Sequence, residues 1–256
     1  MCLHAVGHDG ADFAPLTHAC GDRFEFIAPD WPGHGASPGD GAGPDARAYA
    51  EIALSLCAAL GLDRPILIGN SIGGAAALIS AHAHPGRFSG LVLCNPGGLA
   101  PIDAAARFVI GRMAAFYDVG ARGAPWFKPA FAAYYRYAVL SAPEAAKRRA
   151  EIVAHAGPRA ALLAQAWRGF GQPQADLRAL VPELRLPVWY AWARGDRFVA
   201  WSRARKAARR APDHAVTLFQ GSHAPFLEAP ERFAKGFRAF AARLPAALDA
   251  RSVVPA

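Results

Sequence analysis

The sequence predicts an α/β protein with a mostly parallel central sheet, and three observations lead to this fold class. Strand-like and helix-like segments alternate over residues 24–99, as they do when helices connect parallel strands. A helical stretch, residues 100–184, interrupts the alternation, which resumes with an apolar run at 186–192. With 256 residues, 53% of them hydrophobic, the chain can bury one large core. We therefore expect a core domain formed by residues 1–99 and 185–256, with residues 100–184 inserted as a helical cap.

The first half of the core is predicted from apolar spacing and from turn residues. Residues 24–28 alternate as a strand does and end at Pro29-Asp30. Apolar residues at three- and four-residue spacing predict an amphipathic helix over 49–60, with Gly61 as its cap. The remaining predicted elements are a strand at 65–69, a helix ending near His84 and a strand at 90–94.

The inserted stretch is rich in alanine, arginine and aromatic residues, which predicts helices with an apolar side. Beyond it, the sequence predicts a strand at 186–192, a basic helix, a strand at 215–219 and a closing helix over 230–244. The tail, residues 246–256, is expected to be frayed.

A Gly-x-Ser-x-Gly pattern stands between a predicted strand and a predicted helix. Ser71 is its serine, with Gly69 and Gly73 two positions away on either side. A nucleophile in such a turn is held in a strained conformation, and small neighbours allow the strand and the helix to approach each other. The pattern therefore predicts a serine nucleophile at position 71.

Composition excludes several other classes of protein. The formal charge of +8 comes from basic runs at helical spacing without an aromatic-basic reading module, so no nucleic-acid partner is expected. The four cysteines lack metal or disulfide spacing, and no apolar run is long enough to span a membrane. The first residues do not form a basic-then-apolar leader. We expect a cytoplasmic protein without a membrane partner.

Five segments together resemble the α/β-hydrolase fold family, over nearly the whole chain and in the order of that family. They are His4-Ala5-Val6-Gly7, residues 28–37, the Ser71 turn, Trp192 to Val199 and Gly221 to Pro230. The resemblance implies a mostly parallel sheet flanked by helices, with a helical cap inserted.

The resemblance also implies a catalytic triad. Ser71 is expected to attack the substrate, His223 to take up its proton, and Asp196 to orient His223. The backbone N–H groups of Val6 and Ile72 are expected to form the oxyanion hole. Asp103, which follows the strand after the nucleophile, is the alternative acid.

Four other polar residues near these motifs have simpler interpretations. Asp30 is expected to anchor its loop through hydrogen bonds, and His34 to line the pocket. His82 and His84 fall near a helix end. None of the four is predicted to take part in the chemistry.

The sequence departs from the family at two points. Members usually begin with a hairpin and most of a third strand before the His-Gly loop, whereas Met1 is three residues before His4. The expectation is a fold with its N-terminal strands missing or truncated, the alternative being that Met1 is an internal position of a longer chain. Ala5 also replaces the usual glycine, and Ala193 and Ser222 do so in later loops.

The leading prediction for function is hydrolysis of a small to medium apolar carboxylic ester through an acyl-enzyme. A more specific resemblance, at residues 69–74, 91–99 and 196–199, is to the carbon–carbon hydrolases that cleave meta-cleavage products of aromatic degradation. A third alternative is a non-catalytic binding protein with this fold. No cofactor and no metal is expected, because an acyl-enzyme needs only water. The expected partner is a small-molecule substrate, and the oligomeric state is open.

Overall fold

A computed structural model describes residues 1–244 of the chain, so the predicted frayed tail, residues 246–256, lies outside the described residues. Five strands form one sheet, in the order in which they follow one another in the sequence. They are β1 (Cys2–Leu3), β2 (Ile66–Asn70), β3 (Gly90–Cys94), β4 (Val188–Ala193) and β5 (His214–Phe219). All four neighbouring pairs are parallel. Their carboxyl ends therefore lie at one edge of the sheet, where the loops that follow them meet.

Helices connect the strands, as parallel pairing requires. In chain order they are α1 (Ala14–Cys20), α2 (Ala46–Ala59), α3 (Ile72–Ala83), α4 (Ala104–Ala121), α5 (Phe127–Tyr134), α6 (Ala146–Ala154), α7 (Ala156–Phe170), α8 (Trp201–Ala208), α9 (Pro225–Glu228) and α10 (Pro230–Ala241). No helix among residues 1–244 combines the length and hydropathy needed to cross a membrane.

The core lies on both sides of the central strands. Every residue of β3 and of β4 is buried, which explains why these strands are continuous apolar runs instead of alternating patterns. Helix α3 is buried along nearly its whole length, because it follows β2 directly and packs against the sheet. The ring of Trp189 in β4 contacts that of Phe233 in α10, with centroids 5.1 Å apart.

The strands predicted at 65–69, 90–94, 186–192 and 215–219 all occur within two residues of the predicted bounds. The strand predicted at 24–28 is wrong. This segment has no strand assignment, although Cys2 donates a hydrogen bond to the carbonyl of Ile27 at 2.7 Å. The neighbouring strand β1 has only two residues, and the one hydrogen bond to Ile27 does not make a ladder. Phe24 and Phe26 are two positions apart and both pack on Phe237 of α10, which explains the alternating apolar pattern.

Four helices, α4 to α7, lie in the stretch between β3 and β4. Helix α4 packs along α7, and a cluster of aromatic rings joins α4 to α5. The rings of Tyr117, Phe127 and Phe131 are almost completely buried in that cluster. Aromatic residues of this stretch therefore form a core of their own. Some of them also line the cavities at the end of the sheet that are described below.

Candidate active site

Ser71 occupies the sharp turn between β2 and α3. Its backbone has φ 54° and ψ −117°, a conformation that residues other than glycine rarely adopt. A Cβ atom on Gly69 would lie 2.4 Å from the carbonyl oxygen of Gly73, and one on Gly73 would lie 2.2 Å from that of Leu3. Both glycines are thus required by close backbone contacts, and the turn holds Ser71 at the carboxyl edge of the sheet.

His223 and Asp196 are hydrogen-bonded to each other in the loops after β5 and β4. The Nδ1 atom of His223 lies 2.7 Å from Oδ2 of Asp196, whose residue is only 4% exposed. The backbone N–H groups of Phe198 and Val199 donate to the other oxygen, Oδ1, at 2.9 and 2.8 Å. Asn95 donates from Nδ2 to Oδ2 at 2.6 Å. Four donors therefore fix this carboxylate, which in turn fixes the proton of His223 on Nδ1.

Burial of the His223 ring lowers its pKa, but the charge and hydrogen bond of Asp196, with a smaller contribution from Glu228, outweigh this effect. The net result is a pKa above the ordinary value of 6.5. In the neutral ring Nε2 is then an acceptor, the form that a general base needs.

A buried carboxylate holds the histidine loop in place. Oε2 of Glu228 accepts hydrogen bonds from the backbone N–H groups of residues 222–224, at 2.8 to 3.2 Å. Its Oε1 accepts from the backbone of Ser141 in the helical insertion. On the opposite side, Asn70 donates to the carbonyl of His223 at 3.0 Å. The loop is therefore tied to both the sheet and the insertion.

Val6 lies in the loop that follows β1, and this loop is rigidified by His4. Burial lowers the pKa of His4 to about 3, so its ring is neutral. Nε2 accepts from the backbone N–H of Trp31 at 3.0 Å, and Nδ1 therefore donates to the carbonyl of Ala5 at 2.7 Å. Within residues 1–244, none of the hydrogen bonds uses the N–H of Val6 or of Ile72, the first residue of α3. Both groups are available to an external acceptor.

Two cavities meet at Ser71. The larger one has a volume of ≈ 970 Å³ including its mouth, and the smaller one ≈ 500 Å³. The larger is lined by apolar side chains of α3, α4 and α7 and of the loops that follow β3 and α7, with Asp45 and Arg47 exposed at its rim. The smaller contains His223, Val6 and His8, together with three tyrosine rings of the insertion. Ser71 therefore borders two cavities, and both histidines that lie beside it line the smaller one.

The remaining candidates lie elsewhere. Asp103 is exposed, caps the N-terminus of α4 and pairs with Arg203. The carboxylate that is hydrogen-bonded to His223 is that of Asp196. His82 contacts Glu183 at the surface, and His84 is an exposed helix cap. These positions offer no contact with Ser71 among the described hydrogen bonds.

Asp30 and His34 hold the first loops. Asp30 accepts from the backbone N–H groups of Gly10 and Ala36, which is the anchoring arrangement expected for it. His34 is buried, with its pKa lowered to about 4, and its Nε2 accepts from the N–H of Gly7 at 2.9 Å. It lines neither of the two cavities at Ser71, contrary to expectation.

Sequence reasoning missed three residues that shape the site: Asn95, Glu228 and His8. Asn95 and Glu228 fall inside motifs that could be recognised, but nothing in the local sequence indicates their partners. The left-handed backbone of Asn95, φ 43°, is a conformation that asparagine tolerates well, and it turns the chain toward Asp196 directly after β3. His8 follows the loop motif and has no motif of its own.

Comparison with known proteins indicates the family of the chain. The sequence matches the Alpha/beta hydrolase family over residues 1–235. It is 30% identical to the pimeloyl-[acyl-carrier protein] methyl ester esterase of Xanthomonas axonopodis pv. citri, over 96% of this chain and 95% of that protein.

Solved structures share the fold. An esterase from Thermogutta terrifontis has a TM-score of 0.77 and 24% identity, covering 94% of this chain and 88% of its own. The enol-lactonase from Burkholderia xenovorans has a TM-score of 0.72 and 21% identity, covering 94% and 90%.

Proposed function

Because the chain belongs to the alpha/beta hydrolase family, we propose that it hydrolyses a carboxylic ester with an apolar acyl group, using Ser71, His223 and Asp196 as a catalytic triad. The observation that carries the proposal is the strained backbone of Ser71 in a cavity that it shares with His223. A strained serine at a strand-to-helix turn beside a histidine paired with a carboxylate is the arrangement that activates a hydroxyl group.

In the first half-reaction, Oγ of Ser71 attacks the ester carbonyl carbon and its proton passes to Nε2 of His223. Asp196 stabilises the resulting imidazolium through the 2.7 Å hydrogen bond at Nδ1. The N–H groups of Val6 and Ile72 donate to the oxyanion, and a donor of this kind contributes about 3 kcal/mol of transition-state stabilisation. His223 then protonates the departing alkoxide. Water, activated by the same ring, releases the acid from Ser71.

The two cavities support an assignment of the two parts of the ester, the alcohol and the acyl chain, to different binding positions. His223 lines the smaller cavity and not the larger one. Since His223 protonates the leaving group, the alcohol belongs in the smaller cavity and the acyl chain in the larger, apolar one. The Xanthomonas relative is named for a methyl ester, which also combines a small alcohol with a larger acyl part. Esterase relatives favour ester cleavage over carbon–carbon cleavage for this chain.

The proposal is tested by intact mass after treatment with a fluorophosphonate, which labels activated serines without the need for a substrate. We expect a single adduct on the wild-type chain and none on Ser71→Ala. Ser37→Ala, a substitution in another loop, is the matched control and should label as the wild type does. An adduct that persists in Ser71→Ala would contradict the assignment of the nucleophile, and a folded wild-type chain without any adduct would contradict the serine mechanism.

The raised pKa of His223 predicts the pH dependence of kcat/KM. The ring must be neutral to accept the serine proton, so activity is present above its pKa and is lost as the pH falls through it. Because that pKa lies above the ordinary 6.5, the acidic limb should have its midpoint above pH 6.5. Initial rates on a p-nitrophenyl ester from pH 5 to 9, with the extinction coefficient corrected at each pH, provide the measurement. A midpoint below 6.5 would show that burial outweighs the effect of Asp196.

A further inference from the structure

His8 is a second histidine in the smaller cavity, and the mechanism above makes no use of it. It lies two residues after Val6, is 1% exposed, and lines the cavity together with Ser71 and His223. Its ring contacts that of Tyr135, with centroids 5.7 Å apart. A buried imidazole beside the reacting groups requires an explanation, because burying a polar ring without hydrogen bonds on its nitrogens is costly.

One nitrogen of His8 is fully accounted for. Nδ1 lies 2.6 Å from Oδ2 of Asp12, a residue with no exposed surface, and Oδ1 of Asp12 accepts from Nε of Arg148 at 2.6 Å. Burial raises the pKa of Asp12, but His8 and Arg148 outweigh burial and hold it below its ordinary value. The ionised carboxylate only accepts, so Nδ1 of His8 carries the proton. In the neutral ring, Nε2 is then an acceptor with a fixed orientation.

The other nitrogen is free to bind a ligand. None of the hydrogen bonds described for residues 1–244 uses Nε2 of His8, and the ring borders the cavity. The same arrangement, a carboxylate on Nδ1 and an open Nε2, occurs at His223 on the same cavity. The smaller cavity is thus bordered by two imidazole rings, and a hydrogen bond from Nδ1 to an aspartate fixes the orientation of each.

The charged side chains around Asp12, on the side of His8 away from the cavity, balance each other. This balance indicates which type of ligand Nε2 of His8 can bind. Asp9 and Asp12 face Arg148 and Arg159, with 2.5 Å between Arg148 and Asp9 and 3.5 Å between Arg159 and Asp9. The additional carboxylate, Glu151, is on the exposed outer side of Arg148. With the buried carboxylate of Asp12 and the half-buried one of Asp9 matched by two guanidinium groups, the cluster presents no excess charge to the cavity. A neutral hydroxyl group is therefore a better ligand than an ion.

We propose that Nε2 of His8 binds a hydroxyl group on the alcohol part of the ester, so that the enzyme acts on esters of short alcohols that carry a second hydroxyl group. This inference rests on the proposed function, which locates the leaving alcohol beside His223 in the smaller cavity. The hydroxyl donates to Nε2, and replacing it with a methyl group leaves the buried nitrogen without a partner. A site built to bind a hydroxyl group discriminates against the analogue that lacks it.

The test lets two alcohols of equal size compete for one acyl-enzyme. The acyl group is supplied by p-nitrophenyl butyrate, and ethylene glycol and propan-1-ol are present at equal concentration. An alcohol that intercepts the acyl-enzyme occupies the leaving-group position, forms the butyrate ester and returns the proton through His223 to Ser71. The ratio of hydroxyethyl to propyl butyrate, divided by the ratio obtained with free imidazole as catalyst, measures the preference of the site.

The variant His8→Asn separates binding from structure, because its side-chain amide can still donate to Asp12 but has no atom in place of Nε2. We expect the wild-type preference for glycol to fall roughly 3- to 10-fold in His8→Asn, the range that follows from one neutral hydrogen bond. His18→Asn, on the exposed side of α1, should keep the wild-type ratio.

Two results would overturn the proposal. One is an unchanged ratio in a folded His8→Asn. The other is a wild-type ratio no higher than that with imidazole, which decides the question even if the variant does not fold. A failure of the proposed function would look different, because release of p-nitrophenol would then not depend on Ser71, and both inferences would be rejected together.

Discussion

His223→Ala should lower kcat roughly 10⁵- to 10⁶-fold, since a serine hydroxyl without its base is a poor nucleophile and the leaving alkoxide loses its proton donor. The substitution does not disturb the anchoring of the loop, because Glu228 and Asn70 bind the backbone around position 223 and not the ring. Pre-steady-state and steady-state rates on a p-nitrophenyl ester measure the loss. The dissociation constant of the substrate, obtained from the concentration dependence of the pre-steady-state rate, should change little.

A double variant sharpens this prediction. In the proposed mechanism Ser71 and His223 act as one unit, so Ser71→Ala with His223→Ala should be no slower than either single variant. His84→Ala removes an exposed histidine at the end of α3 and should retain wild-type kcat. Losses that multiply in the double variant would mean that the two residues contribute independently, which contradicts a shared proton transfer.

The turn around Ser71 could be predicted from sequence because its requirements are local. Gly69 and Gly73 are needed for backbone contacts around Ser71 itself, and this steric demand is expressed within five residues of chain. The strand and helix on either side are strongly apolar and adjacent in sequence. Such elements are determined mainly by short-range pattern, which is why β2, α3 and β3 occur close to their predicted bounds.

The supporting residues could not be predicted, because each depends on contacts between distant segments. Asn95 meets Asp196 across 101 positions of the sequence, and Arg148 meets Asp12 across 136. A charge in a basic helical run is interpreted as a solvated side chain until its partner is known. The wrong strand at 24–28 has the same origin, since its alternating pattern reflects contact with α10 and not pairing in the sheet.

The cluster behind His8 is also the main polar link between the first loop and the helical insertion. Arg148 of α6 bonds to Asp9 and Asp12, and Arg159 of α7 donates to the carbonyl of Gly7 at 2.8 Å. The backbone that presents the N–H of Val6 is therefore held by helices that lie more than 130 residues further along the chain. Stability of the insertion and geometry of the proposed oxyanion hole are consequently coupled.

Arg148→Met should lower the free energy of unfolding by about 3 to 5 kcal/mol, because it removes one partner of a buried ion pair and leaves the charge of Asp12 behind. The methionine keeps the aliphatic part of the side chain, so lost packing contributes little. Asp12 has no exposed surface, and His8 alone would remain as its hydrogen-bond donor. Urea denaturation followed by fluorescence at pH 7 measures the change.

The pH dependence distinguishes this cause from a general loss of packing. In the wild type the pKa of Asp12 is lowered on folding, so its contribution to stability is present above the unfolded value of 3.8 and is lost as the pH falls through the folded pKa. Without Arg148 the carboxyl group can be protonated more easily, which removes the unpaired charge. The difference in the free energy of unfolding between the variant and the wild type should therefore shrink as the pH falls from 7 toward 4.

Lys147→Met is the control, because it removes an exposed neighbouring cation. It should change the free energy of unfolding by less than about 0.5 kcal/mol. A destabilisation that is equal for both variants, or independent of pH, would show that Arg148 acts through the overall charge or through packing and not through Asp12.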